Sequence, residues 1–536
     1  MWTRGWRDLV WNEFLHPYDV IVVGGGITGA GILREATRAG LRALLVEQGD
    51  FASGTSSRSS KLVHGGLRYL RDAKLRLTLL SVHEREQLLR EGRGLVTPLG
   101  FLLANFEEDA VPPWLFGLGL VLYDLMGLKW GHRHYSPKGL RMLCPPLTSL
   151  GLRGGFRYFD AQTDDARLVL RIIREAVADG GTALNYARAE ELLHGRDGRV
   201  CGILLTDHAS PAAKKSVEVQ GRVVINATGA WADELRSGVG GRPRLRKLRG
   251  SHLVFPWQRL PLTRSVTFLH PVDGRPVFAI PWEGVTIFGT TDVDHGDEAE
   301  YPRVAPEEVE YLLAGLERAF AGSSLSEDDI QSCFSGVRGV IDTGKADPSK
   351  ESREHVLWDE RGLLTVTGGK LTTFRSMAHD ALRAVRRTLP DVPAFNRRSR
   401  MLDRVDAQPA SLTGIDPALL PRLLGRYGKN AADLVECAQD GELAAIHGLP
   451  ALWAELRWAA RSEAVVHLDD LLVRRVRLAH TLAGGGLSEM ERIRSITQQE
   501  LGWNDERWEE EALAYRSTWQ TQFSPPSISG AARDRQ

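Results

Sequence analysis

The chain has 536 residues, enough for several domains' worth of core, with 43% hydrophobic and 25% charged residues, an ordinary globular balance that excludes a disordered chain. Lys+Arg and Asp+Glu are both 68, so the basic excess that marks a nucleic-acid binder is missing and no nucleic-acid partner is expected. Four well-separated cysteines (Cys144, Cys201, Cys333, Cys437) form no CxxC pair, which argues against a Cys-based metal site and against a secreted disulfide framework.

Residues 1–17 read as a tail without the apolar run and small-residue cleavage site of a secretory signal. Trp2, Trp6, Leu9, Val10 and Phe14 form one face if the tail is helical; a tail without structure fits equally. From Tyr18 the pattern changes to strand, glycine turn, helix, strand, acid: YDVIVVGGGITGAGILREATRAGLRALLVEQ. Gly24, Gly26 and Gly29 fit G-x-G-x-x-G. The first glycine permits the tight turn, the second admits a pyrophosphate against the backbone, and the third lets the helix pack close to the sheet, while the helix start offers free N–H groups and a positive dipole end. Glu47, at the end of the second strand, stands where an acid binds ribose hydroxyls. An acid here disfavours NADP but does not separate NAD from FAD.

The next stretch, FASGTSSRSSKLVHGGLRYLR over 51–71, is a long polar loop instead of another strand–helix unit. A large dinucleotide such as FAD needs a loop of that kind across it. Strand-to-glycine turns recur at VVINATG (223–229) and LLTVTGGKLTT (363–373), and the second leads into a helix whose dipole can face a flavin ring. Residues 113–130, PWLFGLGLVLYDLMGLKW, are strongly apolar with aromatic ends, and they fit either an interfacial segment or a buried helix. No run is long enough to span a bilayer, so the expected place is the cytoplasm, with the inner face of the cytoplasmic membrane open to peripheral contact. Residues 181–207 predict a hairpin turning at 195–198, and 265–292 an antiparallel unit. After about residue 400 the pattern is amphipathic and helical, closing in a loose tail at 525–536.

These motifs resemble the FAD-dependent, aerobic respiratory glycerol-3-phosphate dehydrogenases. The matching stretches are VVGGGITGAGI, TSSRSSKLVHGGLRYL, TDDARLVL (163–170), INATGAW (225–231), RGSHLVFP (249–256), IPW…FGTTD (280–292), SGVRGV (335–340) and TGGKLTTFR (367–375), and LDDLLVRRVR in the helical region is similar too. The resemblance implies an α/β, glutathione-reductase-like FAD-binding fold over 18–400 with an interleaved antiparallel-sheet substrate region, followed by a helical C-terminal domain over 401–524. It implies oxidation of glycerol 3-phosphate to dihydroxyacetone phosphate, electrons passed to a membrane quinone, and a homodimer as the family's habit. An oxidase using oxygen, or a flavin-bearing protein without turnover, are the other readings. The chain departs from the family with Gly339-Val340 after Arg338, where Pro-Leu is common, and with Arg249 where Lys is frequent.

Oxidising a secondary alcohol on a flavin needs a base for the hydroxyl proton and a group to meet charge on the oxygen. His64 is the first candidate base, with a flavin or substrate hydrogen bond and a purely structural role as its alternatives; His252 is second, and Arg338 is placed to stabilise the oxygen. The phosphate dianion calls for arginine forks; the resemblance assigns Arg68, Tyr69, Arg338, Arg353 and Lys370 to the substrate. Cofactor contacts are expected from Gly24, Gly26, Thr28, Gly29, Glu47, Thr55, Ser59, Lys61, Gly65, Gly229, Gly369, Lys370 and Leu371. No metal is expected.

Overall fold

In the computed structural model, the described residues are 2–67, 74–127, 130–209, 215–296, 301–345, 351, 354–391, 395–396, 399–405, 412 and 415–527. The first strand, Tyr18–Val23, lies at the centre of an eight-stranded sheet. It pairs in parallel with Ala43–Val46 on one side and with Ser216–Asn226 on the other. Thr182–Leu184 and Leu363–Gly368 extend the parallel set at either flank. The predicted hairpin is present as Ala187–His194 and Val200–Asp207, and it joins this sheet through the long 216–226 strand. The parallel strands read as near-continuous apolar runs because helices cover them: Ile27–Arg38, Asp165–Ala178 and Phe374–Ala384 share one core with Val20, Val22, Leu45 and Ile225.

A second, ten-stranded sheet carries the antiparallel 265–269, 276–282 and 285–289 unit, the long strands Val96–Phe106, Leu152–Thr163 and Leu245–Pro256, and Ser332–Ile341 paired along 245–254. Its face toward the C-terminal helices contributes Val254, Trp282, Ile287 and Phe334 to a core completed by Leu456, Leu471, Leu472 and Trp508. The helical region is therefore cemented to the substrate sheet by a shared core. Charge adds to that cement: Arg474, Arg475 and Arg477, from the LVRRVR stretch, reach Asp50, Asp164 and Asp165 in the nucleotide-binding part.

The N-terminal segment is a short helix, Trp6–Asn12, docked on the nucleotide domain. Trp2 is buried and stacks on Phe51 at 5.3 Å between ring centroids, Phe14 is buried, and Leu9 stays exposed. Residues 113–130 contain the helix Pro113–Gly127, which matches neither expectation in full. Leu120, Tyr123 and Asp124 are buried against the second sheet, while Trp114 (68% exposed), Leu118 (60%) and Leu125 (59%) form an open apolar stripe. Leu75 and Leu79 of the neighbouring helix Leu75–Glu91 are exposed as well. Among the described residues no helix is long and apolar enough to cross a membrane.

Glu35, on the first helix, is buried beside His379, 3.7 Å away. Burial raises its carboxyl from 4.5 to about 7 despite Arg38, Arg375 and Arg34 nearby. Between pH 4.5 and about 7 the unfolded chain gives up this proton first, so the native state loses stability as pH rises through that window. Glu35→Gln removes the ionisation. It should leave thermal stability nearly unchanged at pH 4 and raise it at pH 8, by up to about 3 kcal/mol at roughly 1.4 kcal/mol per pKa unit. Calorimetry at the two pH values checks this, and equal effects at both would refute it.

Candidate active site

The three glycine turns converge because their strands are neighbours. Strands 18–23, 216–226 and 363–368 run parallel, so their C-terminal ends open on one crevice, the usual ligand position of an α/β sheet. At the first turn Gly24 has φ +115, and a β-carbon there would run into Ala227 O at 2.5 Å. A β-carbon on Gly29 would collide with Gly24 O, which gives the third fingerprint glycine its reason. Gly26 starts the 27–38 helix with no side-chain cap, and Thr28 sits half-buried in the first turn. The Glu47 carboxylate accepts from the N–H of Gly25 at 2.7 Å and of Gly49 at 2.9 Å. Its remaining lone pairs suit ribose hydroxyls. Burial pushes its pKa up, and the two backbone donors oppose that shift.

The second and third turns place Gly229 (φ +64) and Gly369 (φ +69) in left-handed conformations, and nothing lies within 4 Å of where a Gly229 β-carbon would be. Thr367 Oγ1 donates to Gly229 O at 3.2 Å and ties these turns together. Beyond them Lys370 is extended, and Leu371–Thr373 makes one tight helical turn before the 374–384 helix. A helix start with no cap from Gly26 itself, where Ser56 Oγ accepts from the Ile27 N–H at 3.0 Å, an acid on two backbone donors, and open space over Gly229 suit a dinucleotide with a flavin at its far end.

The polar loop is held at almost every residue. Thr55 Oγ1 donates to Val337 O. The Ser59 hydroxyl donates to Asp165 at 2.7 Å, and the Lys61 ammonium lies 2.9 Å from the same carboxylate, with both partners fully buried. Burial brings Lys61 down to about 8, with Asp165 pulling the other way. These two side chains thus brace the loop from beneath. Ser60 Oγ lies 2.8 Å from His252 Nε2. Further on, the Gly65 N–H donates to Asp160 at 3.0 Å and His64 O accepts from Thr372 Oγ1 at 3.3 Å. His64 itself is half-buried.

His252 lies on strand 245–256, stacked on Phe334 at 4.8 Å, with no hydrogen-bond partner at its buried Nδ1. Burial first, then Lys61 and Arg338, hold it well below the ordinary imidazole range, so it is neutral at working pH. Arg338, on the facing strand 332–341, donates to Thr291 O at 3.1 Å and lies 3.6 Å from Asp292, which also meets Arg275 at 3.1 Å. Gly250 leaves room for the guanidinium: a β-carbon there would collide with it. Its side chain is still 30% exposed, held at one terminal nitrogen of the fork. The Lys370 ammonium is buried and lowered to about 7 by burial, with Asp160 acting against the shift. Arg249 pairs with Glu308 at 2.9 Å.

His64, Lys370 and the 55–65 loop are thus joined through Thr372, and His252 through Ser60. Arg338 adjoins them through Val337 and through Gly339, whose β-carbon position is 3.0 Å from Ala230 Cα. Arg68, Tyr69 and Arg353 lie outside the described residues. Sequence reasoning missed Asp160, Asp165, Asp292 and Glu308. Only Asp165 and Asp292 carried a visible signal, in the TDDAR and GTTD stretches. No group of side chains suited to a metal ion occurs among the described residues.

The chain is similar to known flavin enzymes. A family profile described as FAD dependent oxidoreductase matches residues 19–401, and one described as the C-terminal domain of alpha-glycerophosphate oxidase matches 376–508. The aerobic glycerol-3-phosphate dehydrogenase of Staphylococcus aureus is 33% identical over 485 residues, which is 85% of this chain and 86% of that protein. The glycerol-3-phosphate dehydrogenase of Bacillus halodurans, solved with FAD, superposes with a TM-score of 0.78 at 29% identity over 97% of this chain and 98% of its own. A more distant fold match, at 18% identity and TM-score 0.58 over 72% of this chain and 99% of its own, is L-alpha-glycerophosphate oxidase from Mycoplasma pneumoniae. FAD is the cofactor.

Glu47→Ala should weaken FAD binding roughly tenfold to a hundredfold, the loss of hydrogen bonds to a charged acceptor worth about 1.5–3 kcal/mol. Flavin fluorescence on serial dilution measures it, and FAD retention equal to the unaltered protein would remove Glu47 from the site.

Proposed function

Because this chain belongs to the family of FAD-dependent glycerol-3-phosphate dehydrogenases, we propose that it oxidises sn-glycerol 3-phosphate to dihydroxyacetone phosphate and passes the electrons to a membrane quinone. The observation that carries the substrate is the likeness to glycerol-3-phosphate dehydrogenases along most of both chains, joined to an arginine fork, Arg338, fixed at the crevice. Bound FAD supplies the hydride acceptor. The residues do the rest. In this reading His64 takes the hydroxyl proton; its loop is pinned on both sides, which suits a group that must meet the substrate at a fixed distance. His252, neutral and stacked in the interior, orients Ser60 and the loop. Arg338 faces the oxygen as negative charge develops, and its bonds to Thr291 and Asp292 keep it from reorganising when that happens. Lys370, at the flavin end of the third turn, adds a positive charge that burial makes easy to neutralise.

The phosphate is expected between Arg338 and the arginines at 68 and 353. A site built for a dianion rejects the analogue lacking it, so glycerol should be oxidised at least about a thousandfold less efficiently than glycerol 3-phosphate. Arg338→Lys keeps the charge but loses the planar fork, and its turnover should still fall. Steady-state kinetics with a dye acceptor checks both; equal efficiency on glycerol, or an unchanged Arg338→Lys enzyme, would place the phosphate elsewhere.

Quinone as acceptor is supported by the open apolar stripe. Trp114, Leu115, Leu118, Leu122 and Leu125 line one side of the 113–127 helix, and Trp130 follows it, also exposed. A stripe of this kind lies in a bilayer interface without spanning it. Leu118→Glu combined with Leu125→Glu should abolish co-sedimentation with phosphatidylglycerol–phosphatidylethanolamine vesicles and lower quinone reduction, leaving dye reduction intact. Unchanged sedimentation would sink the membrane role. Oxygen uptake at the full turnover rate without quinone would instead make the chain an oxidase, the activity in the name of the C-terminal family.

A further inference from the structure

The peptide group between His64 and Gly65 is gripped at both ends. Its oxygen accepts from Thr372 Oγ1 at 3.3 Å, and its N–H donates to Asp160 Oδ1 at 3.0 Å. Thr372 belongs to the turn that carries Lys370. Asp160 comes from strand 152–163 of the other sheet, so this one peptide plane is referenced to both halves of the site.

Asp160 is itself held. Arg85 donates to its Oδ1 at 2.9 Å, and the Tyr123 hydroxyl donates to its Oδ2 at 3.0 Å. Arg85 also donates to the Tyr123 oxygen at 2.8 Å, closing a triangle. All three side chains are buried, as is Thr372. Gly65 is pressed against the same group: a β-carbon there would collide with the Tyr123 hydroxyl and come within 2.7 Å of Val82 Cγ2. Burying a carboxylate is expensive, and Arg85 offsets that cost only in this geometry. Burial raises the Asp160 pKa while Arg85, Gly65 and Tyr123 act against the rise.

We propose that Asp160 is a positioning residue for His64: by holding the N–H of the 64–65 peptide while Thr372 holds its carbonyl, it fixes the direction in which the imidazole leaves the backbone, and Arg85 and Tyr123 hold Asp160 in turn. This rests on the reading of His64 as the proton acceptor. Rotating the peptide plane swings the Cα–Cβ bond of residue 64 and carries the imidazole away from the substrate hydroxyl. A misplacement of about 1 Å costs on the order of a hundredfold in rate. Binding of the phosphate, which the arginines handle, is little affected. The signature is therefore a loss in the rate of flavin reduction with nearly constant substrate affinity.

The test is anaerobic stopped-flow reduction of the FAD-loaded protein by saturating glycerol 3-phosphate. Asp160→Asn keeps the shape but removes the charge that Arg85 grips, and reduction should slow at least about tenfold, with the half-saturating concentration changing less than about threefold. Thr372→Val releases the other end of the same peptide and should slow reduction a few-fold. The double variant should lose much less than the product of the two, because both act on one peptide plane. Multiplicative losses, or a fully flavinylated Asp160→Asn protein with the original rate, would overturn the assignment. If Asp160→Asn does not fold, Thr372→Val and Tyr123→Phe decide: slowed reduction at unchanged half-saturation supports the role, and original rates in both overturn it. His64→Asn separates the two layers. Original rates there overturn the reading of His64 itself; a slow His64→Asn beside an unaffected Asp160→Asn overturns only the positioning role.

Discussion

Asp164 and Asp165 lie at the start of the 165–178 helix, and the packing of the molecule around its active crevice depends on the arginines that meet them. Asp164 caps that helix by accepting from the Arg167 N–H at 3.1 Å and also takes Arg477 and Arg426. Asp165 takes Arg477, Lys61 and Ser59. Both carboxylates are buried with their partners. Arg477 and Arg426 hold Asp164 far below the ordinary carboxylate range even though burial alone would raise it. Charges this deep gain little net stability as pairs, but removing one partner strands the other at a cost of about 3–5 kcal/mol. The consequence is specificity of arrangement: the helical region, the nucleotide domain and the polar loop fit together in the one register that leaves no charge stranded.

That arrangement ties the C-terminal region to the loops around the crevice. Arg477 also reaches Ser57 O, at 3.4 Å, in the polar loop. Arg475 clamps Asp50, three residues beyond Glu47, at 2.5 and 2.8 Å. Arg58 of the same loop donates to Gln522 at 2.7 Å, and the N–H of Cys333, one residue before the Phe334 that stacks on His252, donates to Phe523 O at 2.8 Å. The polar loop and the turn after Glu47 are thus anchored from behind by helices far along the chain. A glycine-rich loop has high conformational entropy, and this bracing removes it before any ligand binds.

Much of this was legible in the sequence, and what was not has a physical reason. The strand–glycine–helix unit, the hairpin at 187–207, the antiparallel unit at 265–289 and the late helices are local patterns, fixed by period and turn chemistry. The Glu47 position follows from the same local unit. The 113–127 helix defeated a choice between buried and interfacial because its residues are apolar on both sides: Leu120 and Tyr123 inside, Leu118 and Leu125 outside, with no polar face to mark the difference. The N-terminal segment was undecided for a related reason, since Trp2 finds Phe51 only after the fold forms. Asp160, in a strand, and Glu308, in the first turn of a helix, are acids whose neighbours' identity does not show that each will be the buried hub of several donors. Lys61 and Ser59 lie in a motif that suggests ligand contact, and the partner that occupies them, Asp165, is about a hundred residues away.

The same logic explains why a crevice so rich in cations holds a neutral histidine at its centre. His252 is surrounded by Lys61 and Arg338 and buried against Phe334, so protonating it would add a third positive charge where no water can screen it. The nearby carboxylates are already engaged by cations, Asp165 by Lys61 and Arg477 and Asp292 by Arg338 and Arg275, and none of that negative charge is left for the imidazole. His480, packed on the other side of Phe334, is lowered in the same way by burial, Arg477 and Lys61. Positive charge around the two imidazoles therefore sits on guanidinium and ammonium groups, while His252 and His480 stay uncharged. An anion entering such a crevice meets charges already fixed in place by their carboxylate partners.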